Sequence, residues 1–327
     1  MAPDIPRAVA LLRSGELVAF PTETVYGLGA DARNAQAVAK IFAVKGRPAD
    51  HPLIVHLPLN TKLELWAREV PAAAYALADI FWPGPLTLIL KRDPAVPGIV
   101  TGGQETVGLR VPDHPVARAL LAAFYSGIAA PSANRFGRIS PTTVQHVRAE
   151  LGDRVPLILD GGPCQVGIES TILDLTRGVP IILRPGAIAA NDIADILHVQ
   201  PQVGAAGDES APRVSGSLPR HYAPRTPMLL VDLPDLQAEV KARIAQGLRL
   251  AVLSRTAIPI RNNLVYWQRS VPEANTYAHD LYAHLRELDS KDVDLIVVEA
   301  PPRSGEWDAV NDRLTRAAHG YTDDEEP

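Results

Sequence analysis

The fold of this chain is decided around one stretch, FPTETVYGLGAD at residues 20–31. An apolar run at 17–20 leads into it and is typical of a buried strand. Pro21 ends that strand because proline has no backbone N–H to donate to a neighbouring strand. Three hydroxyl side chains follow within the next residues, and Gly27 and Gly29 allow the backbone to turn or to approach another group closely. The pattern predicts a strand that ends in a polar loop, a position at which α/β proteins bind ligands.

The composition is that of an ordinary globular protein of one or two domains. The 327 residues are 46% hydrophobic and 21% charged, with a net charge of −5. No overall basic field therefore exists to bind nucleic acid without sequence preference, and we expect no double-stranded nucleic acid as a partner.

The sequence also predicts a cytoplasmic location without membrane contact. The single cysteine, Cys164, excludes an intrachain disulfide and agrees with a reducing compartment. The N-terminus lacks the pattern of a signal peptide, and no apolar run approaches the roughly 18 residues that a membrane span needs.

The chain is predicted to contain two α/β domains joined by a linker. Residues 1–200 alternate helices and strands, including one strand at 157–159, and some strands follow each other without a helix, which favours a twisted mixed sheet. Residues 201–226 are rich in glycine and serine and lack periodicity, as in a flexible linker that could close over a site. Residues 227–327 are predicted to form a smaller α/β domain of Rossmann-like type.

Four cationic side chains stand at a turn or inside apolar strands. Lys45 and Arg47 flank a glycine at a predicted helix end, and Arg110 and Arg184 interrupt apolar strand patterns. A charge is costly to bury without a partner. The pattern indicates an anionic ligand or a buried ion pair, or else arginines at strand ends that simply reach solvent.

Two loops supply small polar groups beside buried strands. Ser132, Asn134 and Ser140 follow one predicted strand, and Glu169 and Ser170 precede another. Backbone N–H groups and serine hydroxyls in such loops bind phosphate or carboxylate. The Walker A and dinucleotide-binding glycine patterns do not occur in the sequence, so a nucleotide would be bound in another way.

Other site chemistries find little support in the residue spacing. His51 and His56 have no cysteine or acidic partner at ligand spacing, so we expect no metal held by side chains. Cys164 has no base near it in the sequence. Glu23 and Glu169 are the candidates for a paired-carboxylate site, without further support.

Seven motifs occur in an order that characterises one family. They are PTETVYGLGAD at 21–31, KGRP at 45–48 with HPLIVH at 51–56, WPGPLT at 82–87, GLRVP at 108–112, PSANxxGxxSPT at 131–142, EST at 169–171 and LRPG at 183–186. Together they closely resemble the YrdC-like family of threonylcarbamoyl-AMP synthases, over about residues 5–190. The segment SLPRHYAP at 217–224 and the second domain resemble the long, two-domain form of that family.

The resemblance implies an L-threonylcarbamoyladenylate synthase, a nucleotidyltransferase. Such an enzyme makes threonylcarbamoyl-AMP and pyrophosphate from L-threonine, bicarbonate (or carbon dioxide) and ATP with Mg²⁺. Downstream threonylcarbamoyltransferase proteins would pass the group to an adenosine next to the anticodon of tRNA. The resemblance also implies a YrdC-like sheet with a concave, basic face that holds both substrates.

The resemblance further assigns roles to individual residues. It implies that Lys45 and Arg47 are catalytic and neutralise the phosphates. The implied L-threonine site comprises Thr24, His56, Arg110, Ala130 and Ser170, with Arg110 on the carboxylate. The implied ATP site comprises Arg47, His51, Thr106, Ser132, Asn134, Ser140, Arg184 and Tyr222, the last folding over the nucleotide from the linker. Position 51 is His where many relatives carry Asn, and no general base is assigned.

Two other functions compete with the synthase. An RNA-binding module could use the same basic face, although the acidic net charge and the 5% aromatic content argue against a stacking platform for single strands. A carbamoyltransferase is the other, since YrdC-like domains also occur within larger carbamoyl-transferring enzymes. Those enzymes carry extra zinc-binding or acylphosphatase-like domains, and no cysteine-rich segment is present here.

Overall fold

The computed structural model describes residues 4–204 and 211–320. The chain divides into two compact units, Met1–Phe136 with Ser140–Ser217, and Gly137–Ile139 with Leu218–Pro327. The predicted linker at 201–226 is thereby shared between the units, and its residues 205–210 lie outside the described part of the chain.

The first unit alternates helices and strands, and residues 27–31, which were predicted to belong to a polar loop, form a strand. Its elements are α1 (Ile5–Arg13), β1 (Val18–Phe20), β2 (Gly27–Asp31), α2 (Ala35–Lys45), β3 (Ile54–His56), α3 (Ala72–Phe81), β4 (Leu86–Lys91), β5 (Thr106–Arg110), α4 (Pro115–Phe124), β6 (Ile128–Ala129), α5 (Val144–Leu151), β7 (Thr171–Asp174), β8 (Ile181–Arg184), α6 (Ala190–Leu197) and β9 (Gln202–Val203).

The strands of the first unit form one mixed sheet, which confirms the predicted sheet type. The nine strands lie in the order β1-β2-β6-β3-β5-β4-β7-β8-β9. The pairs β3–β5, β4–β7 and β8–β9 are parallel and the other neighbours antiparallel. The strand predicted at 157–159 is reduced to a single bridge between Ile158 and Ala19.

Side-chain caps explain where helices of this unit begin. Asp4 accepts a hydrogen bond from the backbone of Arg7, and the Asn34 side chain accepts from the first amides of α2. Thr143 caps α5 in the same way. Such side chains replace the missing acceptors of the first helical N–H groups. Helix α2 ends at Gly46 in the left-handed conformation, with φ 64°, which sets the turn that carries Lys45 and Arg47.

Apolar clusters cover both faces of the sheet near β1 and β6. Phe20 and Ile128 pack with α1 and α4, whereas Ala19 and Ala129 belong to the cluster that includes α2. Successive residues of a strand point to opposite faces, and both faces are covered here. The sequences of these strands are therefore continuously apolar. Gly29 is needed here, because a Cβ atom would lie 2.7 Å from the Ile128 side chain.

The second unit is an α/β domain with a parallel sheet. Its elements are β10 (Met228–Val231), α7 (Leu233–Ala245), β11 (Leu250–Ser254), β12 (Val265–Arg269), α8 (Ala274–Asp289), β13 (Leu295–Glu299) and α9 (Asp308–Ala318). The strand order is β10-β13-β11-β12, with all neighbours parallel. Helix α8 buries an apolar face that includes Leu281, Leu285 and Leu288 at helical spacing.

A buried carboxylate closes the carboxyl edge of this second sheet. The Glu299 side chain, at the end of β13, accepts hydrogen bonds from the backbone N–H groups of Arg255, Thr256 and Ala257 at 2.8, 3.0 and 3.1 Å. Successive backbone N–H groups of this kind form an anion-binding concavity. In this unit the carboxylate of Glu299 occupies that concavity.

No helix in residues 4–204 and 211–320 is both long enough and apolar enough to cross a membrane.

Candidate active site

The loop after β1 is shaped by the hydroxyl of Thr22. Its Oγ1 donates a hydrogen bond to the Val25 carbonyl at 2.6 Å and accepts from the backbone N–H groups of Thr24 and Val25, both at 3.2 Å. The hydroxyls of Thr22 and Thr24 lie 2.9 Å apart. A side chain that replaces backbone partners in this way fixes a tight turn. The turn buries both hydroxyls and holds Thr24 in one orientation.

This loop is paired with the loop at 131–142, which the sequence singles out separately. The Tyr26 backbone N–H donates to the Pro141 carbonyl, and the Ala133 N–H donates to the Tyr26 carbonyl, both at 2.8 Å. The Tyr26 hydroxyl donates to the Gly162 carbonyl at 2.8 Å, and burial raises the pKa of that phenol to about 12. Thr22 and Tyr26 therefore act as supports, and the two polar loops form adjoining walls of one site.

Arg110 joins the loop after β1 to the centre of the sheet. It is the last residue of β5 and lies opposite His56 in the parallel β3–β5 pair. Its Nη1 donates to Thr24 Oγ1 at 3.0 Å, its Nη2 to Glu23 Oε1 at 2.5 Å and its Nε to the Gly84 carbonyl at 3.2 Å. A guanidinium has five N–H groups. Two of them therefore have no acceptor among the described residues and are available to a ligand.

Glu23 is a site residue whose role the sequence reasoning missed. Its carboxylate is buried, pairs with Arg110 and accepts a hydrogen bond from the backbone N–H of Asp113 at 3.1 Å. The arginine inside an apolar strand was the available signal, because a buried charge needs a partner. A single sequence does not say which carboxylate supplies that partner.

His56 is a neutral imidazole beside the guanidinium. It is buried, and the edge of its ring packs against Phe20 with centroids 5.9 Å apart. Burial, and then the charge of Arg110, lower the pKa of His56 to about 3. A neutral imidazole offers one hydrogen-bond donor and one acceptor, so this side chain can recognise a small polar group without adding charge.

Lys45 links α2 to the 131–142 loop. Its Nζ donates hydrogen bonds to the carbonyl oxygens of Ser132 and Asn134. Burial, and then the charge of Arg47, hold the pKa of this lysine well below its usual range. A phosphate next to Nζ would favour the charged form again.

Arg47 and Arg184 converge on one residue, Ser215. Arg47 Nη2 donates to the Ser215 hydroxyl at 3.2 Å and to the Pro52 carbonyl at 2.8 Å. Arg184 Nη1 donates to the Ser215 carbonyl at 2.9 Å. Two guanidinium groups that meet at one point form a site for an anion. Ser215, which the sequence did not single out, marks that point.

Ser170 anchors Arg184 from the other side. Arg184 Nη2 donates to the Ser170 carbonyl and hydroxyl at 2.9 and 3.2 Å. The Ser170 hydroxyl also lies 2.8 Å from the Thr87 hydroxyl. Ser170 therefore lies where the start of β7 meets the end of β8. It directly contacts Arg184, one of the residues predicted to bind ATP.

A small pocket lies under residues 213–215. Its floor includes Ile54, Ile89 and Ile172, on which Val214 packs, and its wall includes Thr106. The floor is apolar, and Arg47 and Arg184 meet nearby at Ser215. An apolar surface with a few convergent polar groups is typical of ligand sites.

The remaining predicted residues are distributed as follows. Asn134 is buried and its amide donates to the Arg135 carbonyl at 2.8 Å. The Ser140 hydroxyl donates to the Glu169 carboxylate. The Ala130 N–H already donates to the Ile54 carbonyl at 2.9 Å, so only its carbonyl remains for a ligand.

His51 and Tyr222 lie in aromatic surroundings. The His51 ring packs edge-on against Phe136 at 5.3 Å, and burial, followed by Arg47, lowers its pKa. Tyr222 belongs to the second unit, where its ring stacks on Tyr282 at 5.9 Å with the Arg313 guanidinium 5.0 Å from its centroid.

No group of three or more His, Cys, Asp or Glu side chains suited to a metal ion occurs in the part of the chain that the structure describes.

Known families match both halves of the chain. Residues 10–186 match the Sua5_yciO_yrdC family, described as "Telomere recombination", and residues 188–319 match "Threonylcarbamoyl-AMP synthase, C-terminal domain". The threonylcarbamoyl-AMP synthase of Pyrococcus abyssi is 39% identical over 323 residues, which cover 96% of this chain and 93% of that protein. The threonylcarbamoyl-AMP synthase of Bacillus subtilis is 41% identical over 324 residues, which cover 97% of this chain and 94% of that protein.

A solved structure agrees with this match. The crystal structure of P. abyssi Sua5 complexed with L-threonine has a TM-score of 0.87 and 37% identity, covering 96% of this chain and 94% of that one. The fold and the paired loops thus define a YrdC-like α/β protein with a second domain. The chain belongs to the threonylcarbamoyl-AMP synthase family, which confirms the resemblance and the enzyme class predicted from the sequence.

Proposed function

We propose that the chain makes threonylcarbamoyl-AMP and pyrophosphate from L-threonine, bicarbonate (or carbon dioxide) and ATP. The observation that supports this most directly is the arrangement of Arg110 between Thr24 and His56, with two guanidinium N–H groups available. The related P. abyssi protein with this fold binds L-threonine. The arrangement suits a small amino acid because a guanidinium fork matches a carboxylate in geometry and charge.

The proposed L-threonine subsite combines Arg110 with uncharged groups. The substrate carboxylate would accept from Arg110, while Thr24 and the neutral His56 would contact its amino and hydroxyl groups. The Ala130 carbonyl and Ser170 would complete the subsite. Because Glu23 balances the charge of Arg110, the subsite is close to neutral and suits a zwitterion.

The proposed ATP subsite lies around Ser215 and the pocket beneath it. Arg47 and Arg184 would bind phosphate oxygens in place of Ser215, and Lys45 would add a third cation from the end of α2. The other proposed nucleotide contacts are His51, Thr106, Ser132, Asn134, Ser140 and Tyr222. Mg²⁺ would enter with the phosphates of ATP, as is usual for nucleotide substrates.

The chemistry requires positioning and charge neutralisation more than a nucleophilic side chain. The threonine amine first combines with carbon dioxide to give a carbamate and loses a proton; with bicarbonate as the source, a water molecule leaves as the carbamate forms. A carbamate oxygen then attacks the α-phosphorus, the bond to the β-phosphate oxygen breaks, and pyrophosphate leaves with the electron pair. The cations Lys45 and Arg47 would stabilise the charge that develops on the phosphates.

The product is a mixed anhydride, and its threonylcarbamoyl group is transferable. In the proposed pathway, separate threonylcarbamoyltransferase proteins pass this group to an adenosine next to the anticodon of tRNA. The proposed setting is the cytoplasm.

Pyrophosphate release tests the proposal. We expect release from ATP that depends on both L-threonine and bicarbonate, together with a product of the mass of threonylcarbamoyl-AMP. Equal pyrophosphate release without L-threonine would contradict the proposed reaction. Binding of RNA without any such turnover would instead favour the RNA-binding alternative.

A further inference from the structure

The hydroxyl proton of Thr22 is donated to the Val25 carbonyl, the shorter of its two oxygen contacts. The Val25 carbonyl lies 2.6 Å from Thr22 Oγ1, and a carbonyl oxygen can only accept. A hydroxyl has a single proton, so every other partner of Thr22 Oγ1 must donate to it. The backbone N–H groups of Thr24 and Val25 do so at 3.2 Å.

The direction of the bond between the two threonine hydroxyls follows. Because Thr22 has given its proton to Val25, the 2.9 Å contact is a bond from the Thr24 hydroxyl to one lone pair of Thr22 Oγ1, and the two longer contacts from the Thr24 and Val25 N–H groups share the other lone pair. The guanidinium of Arg110, which can only donate, occupies one lone pair of Thr24 Oγ1 at 3.0 Å. Thr24 therefore retains one lone pair and has no proton to offer a ligand.

A ligand group beside Thr24 must therefore be a donor. This step rests on the proposed function, in which the carboxylate of L-threonine binds the two available N–H groups of Arg110. The α-amino nitrogen is one carbon away from that carboxylate. It carries N–H groups as an ammonium and still carries one as a carbamate, so it fits an acceptor both before and after carboxylation.

We propose that Thr22 is a positioning residue that fixes the Thr24 hydroxyl as an acceptor, so that Thr24 recognises the amino group of the amino-acid substrate. Arg110 recognises the carboxylate, and the Thr22–Thr24 pair distinguishes an amino acid from the corresponding carboxylic acid without an amino group. Substitution of Thr22 therefore alters selectivity although Thr22 does not contact the substrate.

The test compares the affinities of L-threonine and (R)-3-hydroxybutyrate, which lacks only the amino group. Calorimetric titration of wild type gives a reference preference for L-threonine. We expect Thr24→Val to reduce this preference by about tenfold, the effect of one hydrogen bond to a charged group. Thr22→Val should reduce it about fivefold, since the released Thr24 hydroxyl can turn its proton toward the ligand. Thr22→Ser, which keeps the hydroxyl, should retain the preference.

The outcomes separate this inference from the proposed function. Wild-type protein that does not bind L-threonine would refute the proposed function. Wild-type binding of L-threonine, with an unchanged preference in folded Thr24→Val and Thr22→Val, would refute the role of Thr22 alone. If Thr22→Val does not fold, Thr22→Ala replaces it, and the same preference in Thr22→Ala and Thr22→Ser overturns the inference. A purely structural role would lower both affinities equally, and that result would also overturn it.

Discussion

The guanidinium of Arg110 and the carboxylate of Glu23 form a buried ion pair with a nitrogen–oxygen distance of 2.5 Å, although the residues lie 87 positions apart in the sequence. The pair ties the loop after β1 to the end of β5. The second carboxylate oxygen binds the backbone at Asp113, so Glu23 connects three segments at the proposed L-threonine subsite.

Removal of Glu23 should destabilise the fold as well as the site. Glu23→Ala leaves the charge of Arg110 buried without a partner, and we expect the free energy of unfolding to fall by about 3–5 kcal/mol. Urea unfolding measures this change. Glu105→Ala is the matched control, because Glu105 pairs with Arg92 at an exposed position and such pairs contribute about 0–1 kcal/mol. Equal losses in the two variants would show that the buried pair has no special role.

Arg110→Lys should affect the two substrates differently. Lysine keeps a positive charge but lacks the planar fork that contacts Glu23, Thr24 and a ligand carboxylate together. We expect the KM for L-threonine to rise about 10- to 100-fold, the effect of lost bonds to charged groups, while the KM for ATP changes little. Arg118→Lys, at an exposed ion pair, is the control. If both KM values rise by the same factor in Arg110→Lys, the carboxylate role is wrong.

Features encoded by neighbouring residues could be predicted from the sequence. The caps Asp4 and Asn34 act within three residues, and the face of α8 follows from helical spacing. The mixed sheet follows from the same local patterns, but β2 lies in a glycine-containing stretch that was predicted to be a loop. The strand predicted at 157–159 was wrong in extent, because its pairing depends on β1, a distant partner. Leu159 is buried and Leu157 and Ile158 are half-buried, but only Ile158 forms a bridge.

The partners within the site could not be predicted, because they come from distant segments. No local pattern pairs Arg110 with Glu23, or brings Arg47 and Arg184 together at Ser215. The residue types alone suggested an anion site, since buried charges need partners. Which hydroxyl donates and which accepts, as in Thr22 and Thr24, is decided by distances that only the folded chain provides.

Arg47→Lys should weaken the binding of ATP and leave the binding of L-threonine nearly unchanged, the opposite of the pattern expected for Arg110→Lys. Arg47 Nη2 contacts Pro52 and Ser215, and lysine lacks the planar fork of donors that binds a phosphate through two oxygens. We expect ATP affinity to fall about 10- to 100-fold and L-threonine affinity to stay within about twofold. Titration of each ligand separately provides the measurement, with Arg68→Lys, at an exposed position, as control. A loss confined to L-threonine would contradict the proposed phosphate contact.

His56 should make the stability of the chain dependent on pH below neutrality. Burial and Arg110 lower the pKa of its imidazole to about 3 in the folded chain, whereas an unfolded histidine has a pKa of about 6.5. Between these values the unfolded chain binds a proton that the folded chain does not. Stability due to this group is therefore present above pH 6.5 and decreases as the pH falls toward 3, by up to about 1.4 kcal/mol per pH unit.

Urea unfolding at pH 6.5 and pH 5 measures this dependence, and we expect a loss of about 2 kcal/mol from His56 over that interval. His56→Asn should remove this part of the loss, since asparagine does not titrate, whereas His198→Asn, at an exposed residue, should not. Long-range ¹H–¹⁵N NMR spectra of the imidazole should show His56 neutral at pH 5. A protonated His56 at that pH, or an unchanged loss in His56→Asn, would mean that water reaches the ring and that the proposed subsite is more open than its burial indicates.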